Sequence, residues 1–293
     1  MVAILRRRGL NLTHGFSQQG IAPARLARDT GCLDPHASWH RQRLHYDPCP
    51  SGEGARVMPA LLAFDTATEG LHIGLSVGER VWLHEGPGGA RASSTLIPSV
   101  RQLLARAGIA LGELDVIGFG RGPGAFTGIR TACSAAQGLA FGANRPVLAI
   151  DTLMAVAEDA RERNGSTDVW VAMDARMDEI YAAHYRHAGS AWQTVAAPAL
   201  YGLEALHARW QGRPPMVVAG TATSAFGSRL DVSAARIAAD ARPAARALLA
   251  CARADWFRGL ATNAALALPV YLRDRVALTT DERAADRQAR AAG

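Results

Sequence analysis

The sequence predicts an α/β fold, and three observations carry that prediction. From Met58 onward, three short strand patterns joined by tight turns precede a helix. Strand and helix patterns then alternate. The composition, 49% hydrophobic and 20% charged over 293 residues, is that of an ordinary globular chain with ample material for a core.

The elements follow in order. LLAFDTAT (61–68) reads as a buried strand ending at Asp65-Thr66, with Thr68 placed to cap the turn. GLHIGLSVG alternates and stops at Gly78, and RVWLHEG returns, so residues 61–86 form a three-stranded antiparallel meander. SSTLIPSVRQLLARAG predicts a helix with Ser94 as N-cap and Pro98 in the first turn, where a missing N–H costs little. Leu96, Val100, Leu103, Leu104 and Ala107 recur at helical spacing as its buried face, and Gly108 stops it. LDVIGFGRG is a further buried strand, followed by a helix over about 128–142, a strand at 146–150 and a helix capped by Thr152 that runs to Arg163. This order is that of an α/β chain and not of a bundle.

The turn residues Arg163-Asn164-Gly165-Ser166 predict a boundary between one subdomain, 58–163, and a second, 164–278. In the second, VWVAMDARMDEIYAAHYRH reads as two strands around Asp174-Ala175-Arg176-Met177. WQTVAAPALYGLEALHARW reads as strand then helix, MVVAGTAT as a strand and PAARALLACARADWF as a helix. Residues 279–293 are small and charged and are expected to fray. No internal repeat with a period of roughly 20–50 residues is present.

Composition narrows the function classes. No apolar run reaches the roughly 20 residues of a membrane helix. The cysteines (32, 49, 133, 251) are scattered without metal-ligand spacing, which predicts a reducing, cytoplasmic location. The net charge is +6, but residues 1–57 hold eight arginines and four acids, so the remainder carries only +2. A basic nucleic-acid surface is therefore not indicated. Residues 1–57 show no sustained period and precede a self-sufficient strand. They are expected to be either a misassigned start, with Met58 the true initiator, or a disordered extension.

The stretch GRGPGAFTGIRTACSAAQGLAFGAN (120–144) carries the functional question. A P-loop needs lysine and Ser/Thr after its last glycine, whereas Ile129-Arg130 follows Gly128. The glycine spacing also fails the dinucleotide fingerprint. What remains is either an anion cradle at a helix N-terminus or a tight turn needing glycine for positive φ. Asp65 and Thr66, together with Gly122 and Gly124, are weak candidates for a vestigial Mg²⁺–phosphate site, with Asp174 as a second acid; the competing reading is a strand-end cap. His184 and His187 point to opposite strand faces and do not chelate together. Cys133 is a small apolar helix residue. No GxSxG elbow, metal set or catalytic constellation is found, so no catalytic or metal residue is assigned. The helix after the loop has two adjacent apolar stripes, one of Gly128, Ala132, Ala135, Leu139 and Gly142, the other of Ile129, Cys133, Ala136, Ala140 and Ala143. Two stripes imply burial on most sides, against the preceding helix or a second protein.

LLAFDTATEGLHIGL, IGFGRGPGAFTGIRTACSAAQGLAFG, AIDTLMAVA, AMDARMDEIYAA and PVYLRDRVAL together resemble the bacterial TsaB (YeaZ) family, in order from Met58 to about Leu278. The resemblance implies an actin-like (ASKHA, ribonuclease H-like) fold of two subdomains. It implies a non-catalytic accessory subunit in making N6-threonylcarbamoyladenosine at adenosine 37 of tRNAs that read ANN codons. The implied partners are a paralogous TsaD-type catalytic subunit, in a heterodimer, and a small TsaE-type ATPase. A homodimer is expected when the chain is alone, with tRNA contact minor, no cofactor held alone, and ATP or ADP possible at the TsaD contact. TsaD-like proteins carry an HxxxH metal pair on the first helix, and SSTLIPSVRQLL has no histidine. The expected interface is Leu96, Val100, Leu103, Gly128, Ala132, Ala135, Leu139 and Gly142. Ala132→Arg or Ala135→Arg is then expected to block pairing and spare the monomer. The rival is an autonomous ASKHA ATPase or kinase built on Asp65 and the Gly120–Gly124 loop.

Overall fold

The structure, a computed structural model, describes residues 58–273. The expectations for residues 1–57 and 274–293 lie outside the described residues. Among the described residues, ten strands and six α-helices follow one another. They are β1 (Leu61–Asp65), β2 (Gly70–Val77), β3 (Arg80–Pro87), α1 (Ala92–Ala107), β4 (Val116–Gly120), α2 (Phe126–Ala143), β5 (Val147–Ile150) and α3 (Thr152–Asn164). Then come β6 (Asp168–Asp174), β7 (Glu179–Ala188), β8 (Ala191–Gly202), α4 (Leu203–Gln211), β9 (Val217–Ala219), α5 (Ala222–Phe226), β10 (Arg236–Ala238) and α6 (Ala245–Phe257).

The strands form two five-stranded sheets of one topology. In the first the order is β3-β2-β1-β4-β5, and in the second β8-β7-β6-β9-β10. In each, an antiparallel meander is extended on its far side by two parallel strands. The duplication lies in topology and not in sequence, which is why no repeat is legible in the residues. β10 and α5 are too short for a periodic signal and were not expected.

Alternation along the central strands builds the layers. Leu62 and Phe64 of β1 face α1 and α2, while Leu61 and Ala63 face α6. In β6, Val169, Val171 and Met173 face α3, while Trp170 and Ala172 face α4 and α5. Both sheets are thus covered on two faces, and their central strands read as continuous apolar runs. Deleting a fully buried ring such as Phe64 in a core of this kind costs about 3–5 kcal/mol.

Three local expectations are corrected. α1 starts at Ala92, so Ser94 is not its cap; its hydroxyl donates to the Arg91 carbonyl at 2.9 Å, and Pro98 lies inside the helix. α3 is capped by Asp151, whose Oδ1 accepts from the Leu153 and Met154 amides, and Thr152 is occupied elsewhere. The proposed 164–278 block is not contiguous. β6 to β10 form the second sheet, but α6 packs on the first, through Leu248, Leu249 and Ala252. Thr262 pairs with Val147, and Ala264 and Ala267 join the core under α1 and α2. The apolar surface of the first sheet needs this second cover, which α6 supplies with Met154 and Ala155 of α3 beside it.

Candidate functional site

The glycine-rich turn is a packing node. Asp65 is fully buried at the end of β1; its Oδ1 accepts the Ala67 amide at 2.6 Å and its Oδ2 the Thr152 hydroxyl at 2.6 Å. Thr152 Oγ1 in turn accepts the Gly122 amide at 3.1 Å, and Thr66 donates to the Gly128 carbonyl at 2.7 Å. Burial pushes the Asp65 carboxyl above its usual range, against the pull of these donors. A Cβ on Gly120 would stand 1.7 Å from Asp65 Oδ2, one on Gly124 2.4 Å from the Ala67 carbonyl, and one on Gly128 1.9 Å from the Thr66 carbonyl. Only Gly122 has positive φ, at +98°. Three of the four glycines are thus required by close approach, not by backbone conformation. Asp65 and Thr66 are spent inside the fold and present no oxygen to a cavity, which corrects their candidacy as phosphate or Mg²⁺ ligands. Among the described residues, no group of three or more His, Cys, Asp or Glu side chains is arranged to hold a metal.

A cleft of about 540 Å³ opens beside this node, between the edges of the two sheets. Gly124, Thr68 and Glu69 line it from the first half, Asp174, Tyr181 and Thr221 from the second. Its rim is the β6–β7 turn, where Arg176, Met177 and Asp178 all have positive φ between 55° and 62°. Three consecutive non-glycine residues in that region are uncommon and are held by surrounding contacts. The Arg176 guanidinium lies 3.1 Å from Glu69 and 3.3 Å from Asp174, and Arg273 donates to the Ala175 and Arg176 carbonyls and to Glu179. The segment around residues 270–273 therefore straps the two halves together. Val270 N–H donates to the Arg121 carbonyl, and the Tyr271 hydroxyl accepts from Arg130 of α2 at 2.8 Å.

The outer face of α1 and α2 is the second feature. Most of both apolar stripes of α2 is consumed within the chain: Gly128, Ile129, Ala132, Cys133, Ala136 and Ala140 are buried against β1, β4, α1 and residues 264–267. Leu96, Val100 and Leu103 are likewise 2% exposed or less, in the core under the first sheet. These residues, with Gly128 and Ala132, are corrected as interface candidates, because their side chains already have partners in this chain. Ala135 and Leu139 are half-buried and Gly142 is exposed. What faces outward is a different line: Thr127, Arg130, Ser134, Gly138 and Phe141 on α2, with Ser93 and Ile97 on α1. Ser93, Ile97, Phe126, Arg130, Thr131 and Ser134 border a shallow groove of about 460 Å³. Arg130 lies over the Phe126 ring at 3.7 Å, so the one charge in the groove is held flat. The signal for these residues was in the sequence, as the complement of the buried stripes at the same helical period. The arginines of the cleft gave no such signal, since only the fold brings them together.

Absence of a histidine on α1 has a structural counterpart: His84 of β3 reaches the helix from the sheet, with its Nε2 3.3 Å from Ser99 Oγ. Cys133 is a small core residue, its thiol pushed up by burial and directed at the Ala267 carbonyl.

The chain was compared with known proteins. The family described as TsaD: tRNA N6-adenosine threonylcarbamoyltransferase matches residues 84–288. The Escherichia coli tRNA threonylcarbamoyladenosine biosynthesis protein TsaB is 35% identical over 222 residues, covering 74% of this chain and 96% of that protein. The chain belongs to the TsaB (YeaZ) family. The Haemophilus influenzae protein of the same name is 43% identical over 124 residues, 41% of this chain and 51% of that relative. Among solved structures, YeaZ from Pseudomonas aeruginosa superposes with a TM-score of 0.68 at 38% identity, covering 73% of this chain and all of that one. The fold of the TsaB (YeaZ) family member described here is α/β of the actin-like (ASKHA) class, with the duplicated sheet as its mark. Among the described residues no helix is long and apolar enough to cross a membrane.

Proposed function

We propose that this chain is an accessory subunit in the formation of N6-threonylcarbamoyladenosine at adenosine 37 of tRNAs reading ANN codons. It docks a TsaD-type catalytic subunit through the outer face of α1 and α2, in a contact of two helices from each protein. The relatives' names supply the pathway. The observation that carries the docking role is the groove along Ile97, Phe126, Thr131 and Ser134: an acid-free, small-residue helix surface, with its one arginine stacked down, lets a partner helix approach closely. A free patch of this kind also favours self-association of the isolated chain through the same face. A separate, TsaE-type ATPase completes the assembly in this reading, with tRNA contact left mainly to the other subunits.

An autonomous ATPase built on Asp65 and the Gly120–Gly124 loop finds no support in this geometry, because the carboxylate and the Gly122 and Ala125 amides are already engaged. The accessory reading is tested in a bacterium depleted of its own TsaB. Expression of this chain is expected to restore threonylcarbamoyladenosine in hydrolysed tRNA, measured by mass spectrometry, and a Thr131→Arg/Ser134→Arg double variant is expected not to. Full restoration by the double variant, at equal protein level, would contradict the docking role.

A further inference from the structure

The cleft between the sheets holds hydrogen-bonding groups that the fold leaves unspent. Tyr181 and Tyr185 stand on the same face of β7, both in the core cluster beside α3. Tyr185 donates to Asp151 Oδ2 at 2.7 Å. Tyr181, nine-tenths buried and lining the cleft, has its hydroxyl bonded to no described residue. Its ring is buried while its hydroxyl opens on the cleft, where it is placed to donate to a ligand. Thr221, also in the wall, accepts the Asp174 amide at 3.1 Å, and its own hydroxyl hydrogen faces only Met173 Sδ at 3.9 Å. Burial raises the Tyr181 hydroxyl above its ordinary value, so it stays protonated and can donate.

The charges at the cleft set the sign of what enters. Arg176 is paired with Glu69 and Asp174, and Arg273 with Glu179 and two carbonyls. Arg242 is the loosely held cation, with its Nε 4.0 Å from Glu85 and about half of its side chain exposed. The rest of the wall is mainly apolar, from Ile129, Phe126, Met173, Val270 and Leu272. A cavity of this size and makeup suits a small organic molecule of which most is buried. A weakly paired Arg242, the Tyr181 hydroxyl and the Thr221 hydroxyl, held only by a weak bond to sulfur, match one anionic group. A polyphosphate is ill matched, because Glu69 and Asp174 face the same space and the Gly122 amide is already spent.

We infer that this cleft is a binding site for a small organic monoanion, a carboxylate or sulfonate on an apolar or aromatic body, held by Arg242, Tyr181 and Thr221. The site adjoins the α1–α2 groove, since Phe126 lines both, but Arg242, Tyr181 and Thr221 stand outside the groove. The test uses 1-anilinonaphthalene-8-sulfonate, an aromatic monoanion whose fluorescence rises on desolvation, titrated into the full-length protein. Saturable binding of one equivalent is expected. Tyr181→Phe and Arg242→Met are each expected to weaken it about tenfold, as for loss of a hydrogen bond to a charged group. Ser134→Arg, in the groove, should leave it unchanged, and near-ultraviolet circular dichroism should show each variant folded. Hexanoate should displace the probe, and Mg·ATP at millimolar concentration should not. Binding unaffected by both cleft substitutions, or abolished by Ser134→Arg, would overturn the site. Displacement by Mg·ATP but not by hexanoate would overturn the assignment of ligand class.

Discussion

Asp65 shows how a residue that looks functional is absorbed by structure. A carboxylate just past a strand, flanked by hydroxyls, has the chemistry of a phosphate-site acid. Here both of its oxygens take donors from its own chain, and the glycine at 120 lets β4 close over it. Its folded-state pKa is raised by burial above the ordinary 3.8. Protonation therefore favours the folded state. The stability it contributes is fully present below the unfolded value and is lost as pH rises through the raised folded value. Urea unfolding of the wild type and Asp65→Asn at pH 4 and pH 7 measures this. The wild type is expected to lose stability relative to the variant between those pH values, and a difference independent of pH would contradict the assignment.

At the scale of an element, α2 is the most informative part of the molecule. Its glycines do opposite things. Gly128 sits where a methyl would meet the Thr66 carbonyl at 1.9 Å, backbone against backbone, so Gly128→Ala forces β1 and α2 apart. Gly138 has nothing within 4 Å of the same position, and alanine there gains helix propensity. Gly128→Ala is expected to destabilise by at least about 2 kcal/mol, and Gly138→Ala to stabilise by roughly 0.5–1 kcal/mol. Thermal denaturation of both variants checks the pair, and equal melting temperatures would contradict it. Strand and helix identities were largely legible because apolar period and turn residues report burial directly. LLAFD and VIGFG announced two-sided burial, and Leu96, Val100 and Leu103 were correctly placed on a buried face. What the period does not report is which object does the burying. The stripes of α2 fitted either the preceding helix or a second protein, and the chain's own first helix and residues 264–267 cover most of them. The return of α6 to the first sheet and the arginines of the cleft depend on contacts distant in sequence, which no local pattern encodes.

At the scale of the whole molecule, two sheets of one topology meet beside a glycine loop that serves as a packing node. Residues 270–273 bond the α2 side to the second sheet, so the outer helical face is backed by one packed body. Such a body offers a preformed surface, and little ordering entropy opposes docking on it. A standard interface buries roughly 1,600 Å², and an arginine inserted at its centre must be desolvated without a partner. Substitution has to respect which residues are free. Ala132 is fully buried, so Ala132→Arg breaks the fold itself, whereas Ser134 is exposed on α2 and tolerates arginine in the monomer. The most direct test is titration calorimetry of a TsaD-type subunit into the wild-type chain and into Ser134→Arg, with both shown to melt at the same temperature. Heterodimer formation by the wild type and at least a hundredfold loss of affinity in Ser134→Arg are the predicted results. Equal affinity for the two proteins would contradict docking through α1 and α2.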